Sequence, residues 1–409
     1  MTGPRRGESA GAARDRPMRK ILVPLVFVTV VVSVWSVANV YLAHRLVFDP
    51  AWPEPAQRAL VLAIWVLAAL PFLQPIFEFA VGPRRTAPLA WTGYLYMGLL
   101  LLMVTGFGAT DLLFSLGGVA SADLGSGDPA GGVTIARVRA LAIAAAAGGA
   151  GMIALASALR APAVLRTEVR LARFPAALDG FRIVQISDLH IGAMRDRRFA
   201  RRVTERVNAL APDLIAVTGD LVDGPVKDLA PHVAPFGELK APHGVFFVTG
   251  NHDYYSGADP WLAHVTEALG WRALRNERVA IERDGAGFDL AGVDDHRGDL
   301  FGPGHGEDVP RALAGRDPSR AVVLLAHDPS TFKKACTQGI DLQLSGHTHG
   351  GQIWPFGYLV RLVVPFIAGH FQRHGAQLLV SRGTGFWGPP MRLRAPSEIS
   401  EIVLRPAAA

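Results

Sequence analysis

The chain has 409 residues, of which half are hydrophobic and 19% are charged, and its formal net charge is +6. This length argues against a single average domain, and the low charged fraction argues against a wholly soluble enzyme, so we expect two domains, one of them in lipid. The positive charge does not indicate a nucleic-acid partner, because six basic residues lie in the first twenty positions and others flank apolar segments. The single cysteine, Cys336, excludes an intramolecular disulfide and a cysteine-based zinc site.

Four uncharged apolar stretches in the first 160 residues predict a helical membrane domain. They cover residues 21–43, 59–77, 87–110 and 140–159, and each is long enough to cross a hydrocarbon core of ~30 Å as a helix. Ala and Gly dominate the fourth stretch, so a buried soluble helix is an alternative for it. We therefore predict a basic tail over 1–20, a four-helix transmembrane domain over 21–159 in contact with the lipid bilayer, and a catalytic domain over 163–405.

The distribution of basic residues around these stretches predicts their orientation. Twelve Lys and Arg residues flank one side of the predicted spans and four flank the other. Because cytoplasmic loops carry the excess of Lys and Arg, we expect a multi-pass protein of the inner (cytoplasmic) membrane with its catalytic domain in the cytoplasm. A secretory signal based on the pair Arg5 and Arg6 is the alternative, but three further apolar stretches follow the first. The Gly-rich segment 121–132 is expected to be an external connector.

Beyond residue 160 the pattern changes to short apolar runs separated by polar segments, which predicts an α/β domain. A helix is predicted over 197–210 with Asp196 as its N-cap, and another over about 260–269. The predicted strands are 183–187, 214–218, 245–249, 288–293, 321–326, 342–345, 378–381 and 399–404.

Short polar motifs follow these strands and contain the residue types that bind metal ions. The motifs DLH, GD, GNHD and GHTH begin at residues 188, 219, 250 and 346, and a lone His327 precedes the last of them. Asp and His two positions apart on an extended segment point the same way, so each such pair can reach one metal cluster. Carboxylate and imidazole ligands suit two cations, and a carboxylate such as Asp220 can bridge them. Any one of these histidines alone would be read as a structural residue, but the ordered set favours a metal site.

In this order, the four motifs resemble those of the calcineurin-like metallophosphoesterase superfamily, over roughly residues 163–405. The segments GHTHGGQIWPFG and SRGTGFWGPPMRLRAPSEI are further similar to a bacterial, membrane-associated branch of phosphodiesterases and lipid-precursor pyrophosphohydrolases. The resemblance implies a two-sheet β-sandwich flanked by helices. The expected fold is thus an all-α transmembrane bundle of four spans followed by an α/β metallophosphoesterase domain.

The resemblance also implies two divalent metal ions, Mn, Fe or Zn, and the residues that hold them. The implied ligands of the first ion are Asp188, His190, Asp220 and His349. The implied ligands of the second are Asp220, Asn251, His327 and His347. A hydroxide bridging the ions would attack phosphorus in line, His252 would protonate the leaving oxygen, and Asp253 would orient His252.

Several roles and the substrate are left open by the sequence. Asp223 and Asp253 could act beside the site or stabilise a turn, as alternatives to direct chemistry. The loop Asp294, Asp295 and His296 could face substrate or solvent. The apolar segment 353–371 could be core, or a lip beside the metals that touches acyl chains or the membrane surface. The expected substrate is a phosphate ester or diphosphate, with lipid-linked compounds as the leading class and soluble nucleotides or phosphodiesters as the alternative. A catalytically inactive sensor or scaffold is disfavoured because no expected ligand is missing.

Overall fold

The computed structural model describes residues 10–118 and 134–407. The predicted connector at 121–132 and the pair Arg5 and Arg6 lie outside the described residues. The chain divides into two compact units, Met1–Ala68 with Leu100–Ala147, and Ala69–Leu99 with Gly148–Ala409. Because this division cuts through the apolar helices, the domain boundaries expected from the sequence stay a prediction.

Four helices among the described residues are long and apolar enough to cross a membrane. They are α1 (Ala10–Ala43), α2 (Glu54–Val81), α3 (Pro83–Leu116) and α4 (Ile135–Leu159). Large apolar side chains such as Leu62, Ile76 and Leu113 are exposed on them, as suits a surface that faces lipid. A helix satisfies its own backbone N–H and C=O groups, for which the hydrocarbon core offers no hydrogen-bond partner. The four predicted spans are confirmed, and the protein is a membrane protein.

Within the first unit, a half-buried polar cluster centres on Asp111 of α3. The Tyr41 hydroxyl and the Arg45 guanidinium, 2.9 Å away, both donate to its carboxylate, and so does Arg139. Arg139 also donates to the Phe107 carbonyl at 2.9 Å. Ionisable groups in membrane segments pair in this way because an isolated charge there is costly. Arg45 and Arg139, two of the four arginines on the side of the spans with fewer basic residues, are thus both held by the Asp111 carboxylate.

The second unit contains two six-stranded sheets. The strands of the first sheet are β1 (Ala163–Leu171), β2 (Phe181–Ile186), β3 (Leu214–Thr218), β4 (Val245–Val248), β5 (Arg272–Ala273) and β12 (Glu398–Pro406). Those of the second are β6 (Glu277–Arg283), β7 (Ala286–Gly292), β8 (Val322–Leu325), β9 (Leu342–Ser345), β10 (Gly369–Arg373) and β11 (Ala376–Val380). The strand orders are β1-β12-β2-β3-β4-β5 and β10-β11-β9-β8-β7-β6. All eight predicted strands are confirmed, and the four that the sequence did not predict, β1, β5, β6 and β10, are the edges of the two sheets.

The inner faces of the two sheets pack on each other. Phe181 and Leu214 of the first sheet share a fully buried cluster with Phe288 and Leu344 of the second. The rings of Phe181 and Phe288 meet edge to face at 5.2 Å. Burying each such side chain contributes roughly 1.5–3 kcal/mol, which makes this layer the main hydrophobic core of the sandwich.

Helices cover the outer faces of the sheets. The helices that follow β1 are α5 (Arg197–Asn208), α6 (Val226–Val233), α7 (Asn251–Tyr255), α8 (Ala258–Glu267), α9 (Val309–Ala312), α10 (Phe332–Ala335) and α11 (Gly357–Val363), and of these α11 has no buried residue and covers neither sheet. Val203 of α5 and Trp261 of α8 join the core under the first sheet, and Phe332 of α10 joins the core under the second. Asp196 caps α5 as predicted, because its carboxylate accepts from the amides of Arg198 and Phe199. The expected two-sheet sandwich flanked by helices is confirmed.

Candidate active site

The predicted metal ligands follow the carboxyl ends of five strands, three in the first sheet and two in the second. β2, β3 and β4 lead into the motifs that contain Asp188, Asp220 and Asn251, while β8 and β9 lead to His327 and His347. Backbone hydrogen bonds join these loops to one another: the Asp188 amide donates to Gly219 at 3.1 Å, and the Gly346 amide donates to His327 at 3.0 Å. The sandwich therefore brings together segments that are up to 160 residues apart in the chain.

Five of the predicted ligands have left-handed backbone conformations. Their φ angles lie between 45° and 73°, a region that residues other than glycine rarely adopt. The five are Asp188, His190, Asp220, His347 and His349. Each such residue costs on the order of 1 kcal/mol or more, and it persists only where the surrounding structure imposes it. The fold therefore holds these side chains in one arrangement at the expense of local backbone energy.

The glycines of the motifs serve two different purposes. Gly219 has a φ of +83°, which provides the sharp turn that the sequence indicates before Asp220. Gly250 instead allows close approach, since a Cβ there would lie 2.2 Å from Asp220 Oδ1. A Cβ on Gly346 would lie 2.0 Å from Ser187 Oγ and 2.3 Å from an Asp188 carboxylate oxygen. Two of the three glycines thus leave room for the carboxylates of the site.

A first group of side chains consists of Asp188, His190 and His349. Their ligand atoms lie within 4.8 Å of one another. His190 Nε2 is 3.1 Å from His349 Nε2 and 3.6 Å from Asp220 Oδ2, and His349 Nε2 is 3.4 Å from Asp188 Oδ1. His190 Nδ1 lies 2.9 Å from Asp223 Oδ1, so Nδ1 carries the proton and the lone pair of Nε2 faces the group.

A second group consists of Asp220, His327 and His347. His327 Nδ1 lies 2.7 Å from the Thr218 carbonyl, which can only accept, so the lone pair of Nε2 faces the group. That Nε2 is 3.1 Å from Asp220 Oδ2 and 3.2 Å from His347 Nδ1.

Both groups, with Asn251 beside them, fit divalent cations. The side-chain oxygen of Asn251 is buried and has no hydrogen-bond donor within the part of the chain that the structure describes. Acceptors that face one another, and a buried carbonyl oxygen without a donor, are unfavourable unless a cation lies among them. Imidazole, carboxylate and amide oxygen are a donor set that such cations accept.

His252 and Asp253 behave differently from each other. His252 Nδ1 lies 2.8 Å from Asp223 Oδ1, the same oxygen that faces His190. Asp253, at the start of α7, turns its carboxylate back toward the loop, where it accepts three backbone amides. These belong to Asp220, Leu221 and Gly250, at 3.0, 2.9 and 2.8 Å. Asp223 thus contacts the His252 imidazole, while Asp253 fixes the loop backbone, and an orienting effect of Asp253 on His252 stays a prediction.

The concentration of charge shifts the protonation of these groups. Burial by itself would raise the pKa of Asp220, but the imidazoles of His327 and His252 outweigh it and hold that pKa well below its usual range. Burial lowers the pKa of His252, whereas Asp220 and Asp223 raise it, and the result is a pKa of about 9. Burial and the Asp220 charge raise the pKa of Asp253 to about 7. The site thus combines carboxylates and imidazoles whose charge states depend on one another.

Two buried arginines, which the sequence did not identify, hold the loops of the site. Arg392 Nη2 lies 3.1 Å from His349 Nδ1, and its Nη1 donates to the Arg382 carbonyl at 2.7 Å. Arg195 donates to the His190 carbonyl at 2.9 Å and stacks on Phe386 with its Cζ 3.8 Å from the ring centroid. Arg392 lies in the segment SRGTGFWGPPMRLRAPSEI, but its contact with His349 is revealed only by the folded chain, as is the position of Arg195.

The loop with Asp294, Asp295 and His296 lies beside the second group. Asp294 is paired with Arg275 at 2.7 Å, which gives it a structural partner. His296 Nδ1 lies 3.6 Å from Asp328 Oδ2, and the same oxygen is 3.7 Å from His347 Nε2. His296 is thus connected to the site through Asp328, and a substrate-facing role for this loop stays a prediction.

Comparisons with known proteins agree with this geometry. Residues 181–351 match the family model for calcineurin-like phosphoesterases. A transmembrane protein with metallophosphoesterase domain from Danio rerio is 32% identical over 96% of this chain and 92% of its own length. A protein of the same description from Bos taurus is 39% identical over 63% of this chain and 60% of its own length. An uncharacterized metallophosphoesterase from Helicobacter pylori is 37% identical over 61% of this chain and 65% of its own length. The chain therefore belongs to the calcineurin-like metallophosphoesterase family and is a metal-dependent hydrolase of phosphoric esters.

Proposed function

We propose that this protein is a membrane-embedded phosphodiesterase or pyrophosphohydrolase that uses two divalent metal ions and acts on lipid-linked phosphate substrates. The observation that carries the proposal is the pair of side-chain groups that face each other across Asp220. Asp188, His190, Asp220 and His349 would hold one ion. Asp220, Asn251, His327 and His347 would hold the other. Asp220 Oδ2 lies within 3.6 Å of His190 Nε2 and 3.1 Å of His327 Nε2, the position expected of a bridging carboxylate.

Bound divalent ions would supply an activated water molecule and would polarise the phosphoryl oxygens. The side chains of the protein orient the reaction around that chemistry. Asp223 accepts from His252 Nδ1, which leaves Nε2 to carry the proton for the leaving oxygen. The His252 amide donates to Asp220 Oδ1 at 2.8 Å, so the proposed acid is positioned by a metal ligand. Hydrolysis of an ester with a poor leaving group would depend on this arrangement.

A lipid-linked substrate is supported by the half-exposed Trp387 close to His252 and by exposed apolar side chains of α11. The Trp387 ring lies 5.9 Å from the His252 ring. The backbone amide of Trp387 donates to the side-chain oxygen of Gln352. Gln352 precedes α11, in which no residue is buried and where Leu362 and Val363 are 82% and 75% exposed. Apolar surface of this kind beside a polar site is typical of a surface that contacts lipid or an apolar ligand.

Packing within the second unit supports a site close to the membrane surface. Tyr94 of α3 packs beside Gly388, the residue after Trp387. Its ring atom Cδ1 lies 3.9 Å from the position that a Cβ on Gly388 would take. The Arg392 amide donates to the Ala154 carbonyl of α4 at 2.8 Å. The chain segment that contains Trp387 therefore lies against the apolar helices, so an acyl chain could reach α11 without leaving the bilayer. From the basic-residue distribution we further propose the inner membrane and a catalytic domain in the cytoplasm.

The test is a hydrolysis screen of the purified full-length protein in detergent micelles, with Mn²⁺, Fe²⁺ or Zn²⁺ added. The substrates are two lipid-linked diphosphates that share a head group and differ in chain length, an aryl phosphodiester, and nucleotides. We expect metal-dependent cleavage of the aryl diester and a higher kcat/KM for the long-chain lipid than for its short-chain homologue.

The variant Leu362→Gln/Val363→Gln should remove the chain-length preference, while its rate on the aryl diester stays that of the wild type. Equal kcat/KM for long and short chains, with faster cleavage of nucleotides, would contradict the lipid-linked substrate and favour the soluble alternative.

A further inference from the structure

A cleft of about 680 Å³ lies between the turn that joins α2 to α3 and the exposed face of α5. The start of α3, just after that turn, contributes Pro83, Arg84 and Ala87. The other wall contains four arginines of α5, Arg197, Arg198, Arg201 and Arg202. The cleft also reaches Gly192 and Ala193, which follow the proposed ligand His190 by two and three residues. A positively charged cavity therefore lies between the membrane hairpin and a loop of the site.

The length of α2 bears on where the cleft lies relative to the lipid head groups. Only Gly82 separates α2 from α3, so the two helices form a tight hairpin. With 28 residues, α2 is about 42 Å long, whereas the hydrocarbon core is ~30 Å thick and the whole bilayer 40–45 Å. Since α2 is longer than the hydrocarbon core is thick, one of its ends can lie at the level of the lipid head groups, and the basic pair Arg84 and Arg85 just beyond Val81 favours this end.

The arginines of the cleft have no partner of opposite charge. Among the side chains described, none of the five guanidinium groups of Arg84 and the four α5 arginines has an acidic group within 4.0 Å; the ion pairs that do form involve other residues. Two acidic residues line the cleft, but the Asp196 carboxylate already caps α5, which leaves Glu205. Like charges one helical turn apart repel each other.

Packing of α5 keeps these arginines together. Ala200, Val203 and Val207 are buried against the sheet, which fixes the rotation of the helix and leaves Arg198, Arg201 and Arg202 exposed. The helix backbone sets the spacing of these arginines, and burial of the apolar face keeps them on the side of the cleft, so an anion that enters the cleft would offset their mutual repulsion. Guanidinium groups bind phosphate oxygens through paired hydrogen bonds.

We propose that this cleft binds the head group of an anionic phospholipid from the bilayer that surrounds the four helices. The phosphate would contact Arg198, Arg201 and Arg202, with Arg84 closing the cleft from the membrane side. The bound lipid connects the hairpin to the loop after His190, so its presence stabilises the second unit. This site is separate from the proposed hydrolysis and does not depend on it.

Native mass spectrometry of the full-length protein tests the proposal. The protein is stripped of lipid in detergent and titrated with phosphatidylglycerol or with phosphatidylcholine. We expect one phosphatidylglycerol molecule to bind selectively, and Arg198→Gln/Arg202→Gln to weaken it roughly tenfold or more, because each basic residue near a charged lipid surface accounts for about fivefold. Added salt should also reduce the preference of the wild type for phosphatidylglycerol over phosphatidylcholine.

Arg206→Gln is the matched control, because Arg206 is an exposed arginine of α5 that does not line the cleft. It should bind phosphatidylglycerol as the wild type does, and both variants should melt within a few degrees of the wild type in lipid-free detergent. Equal binding of the two lipids, or an equal loss in the control, would overturn the proposal. A rise in KM for the aryl diester in the double variant would also overturn it, since the cleft would then belong to the substrate site.

Discussion

Replacing Asp223 tests the central feature of the site, a single carboxylate oxygen that faces two imidazoles. Asp223 Oδ1 lies 2.9 Å from His190 Nδ1 and 2.8 Å from His252 Nδ1. Asp223→Asn can keep an oxygen at that position, so it removes the charge while both hydrogen bonds survive as neutral ones. Asp223→Ala removes the hydrogen bonds as well. The two variants therefore separate the effect of charge from that of orientation.

The expected magnitudes follow from these two contacts. A hydrogen bond to a charged group is worth roughly 1 kcal/mol more than a neutral one, so two of them amount to about 2 kcal/mol. That corresponds to roughly a thirtyfold loss of kcat for Asp223→Asn. Because the side chain is 33% exposed, water screens part of the charge, and we expect the loss to lie at or below this figure. Asp223→Ala should lose about 10²- to 10⁴-fold, since the orientation of the proposed acid is also lost.

The assay is the rate of aryl phosphodiester cleavage as a function of added Mn²⁺, which gives kcat and an apparent metal affinity together. Both variants should require more metal, because a residue that holds a metal-binding imidazole typically accounts for 10- to 100-fold in affinity. Asp317→Asn is the control for charge alone, since the Asp317 side chain is exposed and accepts from the amide and hydroxyl of Ser319. The reasoning fails if Asp223→Ala is no slower than Asp223→Asn, or if both keep the wild-type metal requirement.

Four further outcomes are expected. Asp220→Asn should nearly abolish hydrolysis and lower metal content, because the proposed bridge loses its charge; near wild-type turnover at low metal would contradict two-ion binding. His252→Ala should lower turnover by ~10² to 10⁴ without loss of metal, and more for alkyl than for aryl esters; a uniform loss would indicate a transition-state contact without proton donation. Gly346→Ala should reduce metal binding and lower the melting temperature, because the new Cβ would lie 2.0 Å from Ser187 Oγ and 2.3 Å from an Asp188 oxygen; intact metal affinity would show that the loop can adjust. A cysteine introduced after Ala163 should be protected from an impermeant reagent in intact cells, whereas one in segment 121–132 should react, and the reverse labelling would refute the proposed orientation.

Much of the architecture could be predicted from local sequence patterns. The four apolar helices follow from uninterrupted hydrophobic length, which needs no tertiary partner to be recognised. The eight predicted strands are central strands whose residues are apolar because both faces are covered. The edge strands β1, β5, β6 and β10 were not predicted, because a strand with one neighbour and an exposed face carries polar residues. Their pairing depends on the strand beside them, which the local sequence does not specify.

The same distinction applies to the site. Which residue types follow which strands is visible without a fold, because Asp, His and Asn occur in short motifs after apolar runs. The contact between Asp223 and His252, by contrast, depends on the fold, since Asp253 is the neighbour in sequence while Asp223 is 29 residues away. The contact between Arg392 and His349, 43 residues apart, and the cleft between Arg84 and α5 were likewise set by packing. Hydrophobic length and strand-end chemistry are local properties, whereas the partner of a side chain depends on which loops the sandwich brings to one end.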